Sequence, residues 1–504
     1  MASVNAVTRR IGPQVHTAPG ATAARINKAL QLQRLLNACM LWEDNFYIDG
    51  ETVAGLIQKL VHETSAEKCA ELAVKARNEQ KLRHAPLLVV REMARASADH
   101  KALVADTLFA VIQRPDEIAE FLAIYWKDGK QPISAQVKKG LARVYNKFSE
   151  YQLAKWNKDK DIKLRDVAFL THAKPKDKAQ GLLLAQLVNK DRVPVATRGG
   201  KYDKKKAAGF PVAKTYKTLA KNFVGLATPD TWEVALSGGA GKKETFTRML
   251  EEGTLGAIAV LKNLRNMTQA GVSNSVIKSG LATMKTERVL PFRFITAAKY
   301  APGFESELEQ AMFRCLAGAP KLLGRTGVVI DVSGSMNGKV SGKSELGRID
   351  AAACIAMLLR EVCEDVVIYC TAGNDGTRIH KTEMIPSRRG FALRDLINQS
   401  AGRLGGGGIF LTQMMDYVRK HEQGDFERMI VITDEQDCER DPARAASRAN
   451  TFGEHNYLIN IANEKNGIGY RKWHHIDGFS EAVVTYIFAE EGQSFDSADE
   501  DSLN

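Results

Sequence analysis

Cysteine is sparse. The 504 residues hold seven, Cys39, Cys69, Cys315, Cys354, Cys363, Cys370 and Cys438, widely spaced and with no CxxC pair. An odd number of scattered thiols excludes a disulfide scaffold, argues against a structural zinc site and fits a reducing cytosol. No apolar run approaches the ~20 residues of a membrane span. The start, MASVNAVTRRIGPQVHTAPG, lacks the apolar core of a secretory signal, so no leader is expected there. Aromatic residues make up only 7% of the chain.

Catalytic patterns are also missing. SGGAGKKET (237–245) imitates a phosphate-binding loop but fails it: Leu236 stands where the first glycine belongs, and Lys243 where Ser or Thr belongs. KWHHID offers two adjacent histidines, which on one strand point to opposite faces and chelate poorly. A metal-dependent nuclease needs several carboxylates around two ions, and only one such cluster is in view. The chain is not expected to be an enzyme.

What is present is uneven charge. Lys+Arg exceed Asp+Glu by 51 to 31 before Leu323, whereas from Leu323 onward they fall short by 20 to 28. A surplus of that size on one part is the electrostatic footprint of a polyanion binder. The hydrophobic pattern changes at the same place. Residues 1–24 are expected to be disordered. From 25 to 322 apolar residues recur at helical spacing, as in ETVAGLIQKLVHETSAEKCAELAVKARNE, where Thr64-Ser65 followed by Glu67 signals a helix start. A long succession of helices suggests a solenoid of helix pairs, with a compact bundle as the alternative. The Lys-, Gly- and Pro-rich stretch 189–222 is expected to be an exposed basic loop.

Beyond 323 come short β-branched runs, TGVVIDVS, DVVIYCT, RMIVITDE and HNYLINIAN, separated by helical stretches. Strands alternating with helices predict a doubly wound α/β domain over 323–488 with a parallel sheet covered on both faces, followed by an acidic, disordered tail at 489–504.

GVVIDVSGSMNG ends its strand in Asp331, Ser333 and Ser335. Ligands of doubly wound sheets bind beyond the carboxyl ends of the strands. Hard oxygen donors select Mg²⁺ or Ca²⁺, and Asp434 in VITDE is placed to complete the set. The open position then favours an acidic group from a partner. The motif resembles the metal-ion-dependent adhesion site of von Willebrand factor A domains, written DxSxS. That family also supplies a later threonine. Here GRLGGGGIFLTQMMD has Ile409 at that place, and Thr412 is the nearest hydroxyl.

LQRLLNACMLWEDNFYIDG, KLRHAPLLVVREMAR, VKKGLARVYNKFSEYQLAKWNKDKDIKLRDVAFLTHAKP, GAIAVLKNLRNMTQAGV and LPFRFITAAKY together resemble, in order, the TROVE domain of the Ro autoantigen family and its bacterial members. The resemblance implies a HEAT-like helical ring or horseshoe. It would bind Y-like small noncoding RNA on the outside and single-stranded 3′ ends of misfolded RNA in the hole. It further implies a cytoplasmic, monomeric, non-membrane protein of RNA quality control, decay and stress response, linked through its RNA to polynucleotide phosphorylase. The alternative is an adaptor that recruits an acidic protein through the metal.

Lys138, Lys139, Arg143 and Lys147 share a helix face and can follow a phosphate backbone. By the family resemblance, Thr171, His172 and Lys174 in LTHAKP are candidate RNA contacts near the hole. Lys262, Arg265 and Arg293 are further candidates. Tyr145 and Trp156 could stack on bases, though core packing is the plainer expectation.

Overall fold

The computed structural model describes residues 28–37, 50–79, 82–157, 161–189, 229–286, 289, 292–340, 346–422, 425–440, 452–462, 473–477 and 483–491, together with a two-residue ladder pairing Val15–His16 with Thr22–Ala23. The expected basic loop 189–222 lies outside them but for Asn189, as do the rest of segment 1–24 and the acidic tail beyond 491.

Ten helices open the described chain: α1 (Lys28–Asn37), α2 (Gly50–His62), α3 (Ala66–Asn78), α4 (His84–Met93), α5 (Ala98–Val111), α6 (Pro115–Tyr125), α7 (Ala135–Val144), α8 (Glu150–Trp156), α9 (Leu164–Thr171) and α10 (Lys178–Asn189). Six more follow: α11 (Trp232–Ser237), α12 (Lys242–Glu251), α13 (Ala257–Gln269), α14 (Asn274–Thr283), α15 (Phe292–Tyr300) and α16 (Glu305–Leu316). Their starts are set by local chemistry. Ser65 Oγ accepts from Lys68 N, Ser97 from His100 N, Ser134 from Val137 N and Ser149 from Gln152 N, each satisfying an amide that the helix cannot. Pro115 opens α6, where its missing N–H costs nothing.

Two compact units result. One holds Ser65–Val74 and Pro86–Gly241; the other holds Met1–Thr64, Lys75–Ala85 and Lys242–Asn504. In the first, α7 lies on α5, α9 packs on α6 and α7, and α8 packs on α6. Gly140 permits the α5–α7 approach: a Cβ there would sit 3.0 Å from Ala105 O.

In the second unit α12 packs on α14, α13 on α15 and α14 on α16, each helix meeting its next-but-one neighbour. The same unit carries a six-stranded sheet of β1 (Leu322–Asp331), β2 (Cys363–Asn374), β3 (Ile379–Ile385), β4 (Arg428–Thr433), β5 (His455–Asn460) and β6 (Trp473–Asp477), in the order β3-β2-β1-β4-β5-β6. Val329 is in register with Tyr369 on one side and Val431 on the other, both parallel. β3 runs antiparallel to β2, with Thr371 opposite Thr382. The sheet is therefore mixed, which corrects the expectation of a parallel one. β3, IHKTEMI, is a polar edge strand returning from β2 through a short turn, so it shows no apolar run.

Helices α17 (Arg348–Val362), α18 (Gly390–Leu404), α19 (Leu411–His421) and α20 (Val483–Glu490) complete the domain. Val329, Tyr369, Val431 and Leu458 form one face and bury Leu411, Met414, Met415 and Val418 of α19. α17 packs on β1 and β2, and α18 on β2 and β3. α1 joins this domain, packing on β6, and its Gln33 donates to Tyr486 of α20 at 2.9 Å; Lys75 of α3 pairs with Glu490 of α20 at 2.7 Å.

Candidate functional site

The chain leaves β1 for β2 on one side and reaches β4 on the other. The strand order reverses there, and a crevice opens beyond the carboxyl ends of β1 and β4. Asp331 ends β1 and Asp434 follows β4; both are fully buried. Asp331 Oδ1 accepts from Ser333 N at 2.8 Å, and its Oδ2 accepts from Thr433 Oγ1 at 2.7 Å. Ser333 Oγ and Ser335 Oγ lie 3.2 Å apart. Burial, with the Asp434 carboxylate adding to it, pushes the Asp331 carboxyl up to about 7. Asp434 Oδ1 accepts from Gln436 N at 3.3 Å, and Arg348 Nη1 faces Asp434 Oδ2 at 3.4 Å.

Above the hydroxyls is a cavity of about 370 Å³, walled by Ser333, Ser335, Arg378, Gly407, Gln436 and Cys438 among others. Gly334 is required at its floor, since a Cβ there would lie 2.5 Å from Gly406 O. Four of the five expected metal-site residues are thus drawn together. Thr412 is not tied to them: it sits in the first turn of α19, with its hydroxyl buried and without a hydrogen-bond partner. Ile409 is a core residue beneath the sheet. The hydroxyl that does hold Asp331 comes from Thr433, missed in the sequence although VITD displays it at the strand end.

Ser333 and Ser335, with Asp331 and Asp434 behind them, are the residues that could hold a divalent ion, and their oxygens are the right chemistry. The Arg348 guanidinium stands against it, because it already lies against Asp434.

The RNA candidates divide between the two units. Lys139 is exposed and Lys138 half-buried on α7. Arg143 is committed to Asp106 at 2.5 Å, and Lys147 donates to the carbonyls of Phe109 and Ile112, both at 2.7 Å. Thr171 is buried, with its hydroxyl spent on Val167 O at 2.7 Å. His172 caps α9 in the left-handed conformation, φ 54°, and is exposed, as is Lys174. In the other unit Lys262 and Arg265 are exposed on α13, and Arg293 is half-buried on α15.

Tyr145 is fully buried and donates to Leu164 O at 2.6 Å, so it is core; Trp156 lies beneath Arg114, 3.9 Å from the ring centroid. The phosphate-loop imitation runs from the last residue of α11 into the first turn of α12, so among the described residues a helix, not a strand, leads into it. The two histidines of β6 turn to different partners, His474 toward Glu490 and His475 toward buried Glu435.

Residues 213–317 match the TROVE domain model. A solved structure of the Ro (RSR) protein of Deinococcus radiodurans aligns over 91% of this chain and 98% of that one, at 18% identity and a TM-score of 0.58. An aerotolerance-related membrane protein from Bacteroides fragilis aligns over 27% of this chain and 67% of that one, at 12% identity and a TM-score of 0.20, which supports no argument. No curated protein matches the chain. The fold is that of a helical region followed by a mixed α/β domain, as in a Ro protein. Residues 213–317 thus resemble a TROVE domain, and the chain as a whole shares its fold with a bacterial Ro protein.

Proposed function

We propose that this chain is a non-catalytic RNA-binding scaffold. It binds a Y-like small noncoding RNA and the single-stranded 3′ ends of misfolded or decaying RNA, in RNA quality control and stress recovery. In this reading the helices form a HEAT-like ring whose hole takes RNA ends, and the sheet domain is of the von Willebrand factor A kind. The protein works as a cytoplasmic monomer, joined to polynucleotide phosphorylase through its RNA. The TROVE match carries the reading. The basic surplus before Leu323 supports it, as does the exposure of Lys139, Lys174, Lys262 and Arg265.

A second reading is favoured by one observation. Arg378 and Arg440 line the cavity beside Ser333 and Ser335, which suits an acidic group from a protein partner.

Isolating the protein from its own cells at moderate salt and sequencing the RNA that accompanies it tests the first reading. One abundant structured small RNA is the expected result. RNA no higher than background sinks it and turns attention to the sheet domain.

A further inference from the structure

Arg348 opens α17 and is 1% exposed. Its Nη1 lies 3.2 Å from Ser335 O and 3.4 Å from Asp434 Oδ2. A guanidinium keeps its charge at every working pH, so burying one demands carboxylate and carbonyl oxygens in place of water. A fully buried carboxylate makes the opposite demand. Arg348 and Asp434 meet each other's need.

The surrounding chain is shaped for this arrangement. Arg348 N donates to Gly338 O at 2.9 Å, folding the segment after the DxSxS loop back on itself. A Cβ at Gly338 would lie 3.3 Å from Ser335 O and 3.4 Å from the guanidinium carbon, so the loop is close-packed against Arg348. Every carboxylate oxygen of the pair has a donor: Ser333 N and Thr433 Oγ1 for Asp331, Gln436 N and Arg348 Nη1 for Asp434. An ion arriving at the two serine hydroxyls would meet an acid already neutralised and a fixed positive charge. Neither Ile409, in the core, nor Thr412, buried in α19, supplies the further hydroxyl.

We infer that the DxSxS site of this chain is metal-free: the Arg348 guanidinium takes the structural place of a divalent ion, holding the Ser335 loop to Asp434. The order of the loop, and whatever it binds, then depends on no metal. This rests on the sheet domain alone and stands or falls independently of RNA binding.

The test uses the full chain, stripped with EDTA, with Mn²⁺ as the probe and free Mn²⁺ read by electron paramagnetic resonance. Wild type is expected to bind no stoichiometric Mn²⁺ up to about 1 mM, the weak end of natural divalent sites, and to melt at the same temperature in EDTA and in Mg²⁺. Arg348→Met, which keeps bulk and removes charge, is expected to bind one Mn²⁺ at least roughly tenfold more tightly than wild type. Adding Asp434→Asn should abolish that binding.

One Mn²⁺ bound by wild type below that limit, and lost in Ser333→Ala, overturns the inference. So does an Arg348→Met protein that folds yet binds no better than wild type. Should that variant fail to fold, Arg348→Gln takes its place, and the wild-type titration decides without either.

Discussion

Arg34 and Glu435 stand 401 residues apart in the chain and form a buried ion pair, Nη2 to Oε1, at 3.1 Å. Glu435 also meets His475 at 3.2 Å, and its amide donates to Thr433 Oγ1, the same hydroxyl that holds Asp331. A continuous set of bonds therefore runs from α1 to the end of β1. Removing one member of a buried pair strands the other charge. Arg34→Met is expected to destabilise the protein by about 3 to 5 kcal/mol, and Arg34→Met with Glu435→Met by clearly less. Thermal midpoints of Arg34→Met, Glu435→Met and the double variant check it; additive losses would mean that the pair contributes nothing jointly.

Lys138 and Lys139 are the two members of the α7 row that form none of the anchoring contacts described for Arg143 and Lys147. Reversing both to Glu should weaken Y-like RNA binding at least tenfold, about 1.4 kcal/mol, and lower the salt slope by about 2, with an unchanged melting temperature. Filter binding across a salt series decides. Arg143→Glu is a poorer probe, because it also places two acids together at Asp106.

Tyr145 should prove structural. Tyr145→Phe removes the hydroxyl's bond to Leu164 O, at a cost of about 0.5 to 1.5 kcal/mol, while RNA affinity stays within error. A loss of affinity without loss of stability would restore the stacking role.

Asp437 yields a pH prediction. Its Oδ1 accepts from Leu411 N at 3.3 Å and from Glu439 N at 3.1 Å, capping α19, while burial pushes its carboxyl up to about 7. A carboxyl raised on folding contributes stability that is full below its ordinary value and lost as pH rises through about 7. Asp437→Asn keeps the acceptor oxygen and removes the titration. It should match wild type near pH 4 and exceed it by pH 8, by on the order of 2 to 4 kcal/mol at about 1.4 kcal/mol per pH unit. Melting curves across that range show whether the gap widens.

Asp331→Ala should leave RNA affinity within about twofold, because Asp331 belongs to the acidic part of the chain. A larger loss in a binding titration would place the crevice among the RNA contacts.

Much of this was readable from local pattern. The runs VVID and MIVIT announce β1 and β4 because both sheet faces are covered, and the acid and serines after VVI fall where the strand order reverses. β3 was not readable, since an edge strand needs no apolar face. Arg348 was not either. Its position in GRIDAAACIAML looks like any helix start, and only the packing of α17 against β1 turns it onto Asp434. Thr412 is close in sequence to Ile409, but it lies in the first turn of α19 with its hydroxyl buried away from the serines. The docking of α1 on β6 is a contact across most of the chain and leaves no local mark.

That docking bears on how the protein is made. Residues 28–37 are synthesised long before Glu435 and Tyr486, and at about 5 to 20 residues per second the interval is on the order of a minute. For that time Arg34 and Gln33 lack their partners Glu435 and Tyr486 on the sheet domain. The nascent chain carries an unfinished surface at one end until the other emerges, and a chain cut short before β6 would leave its first helix only α2 to pack on.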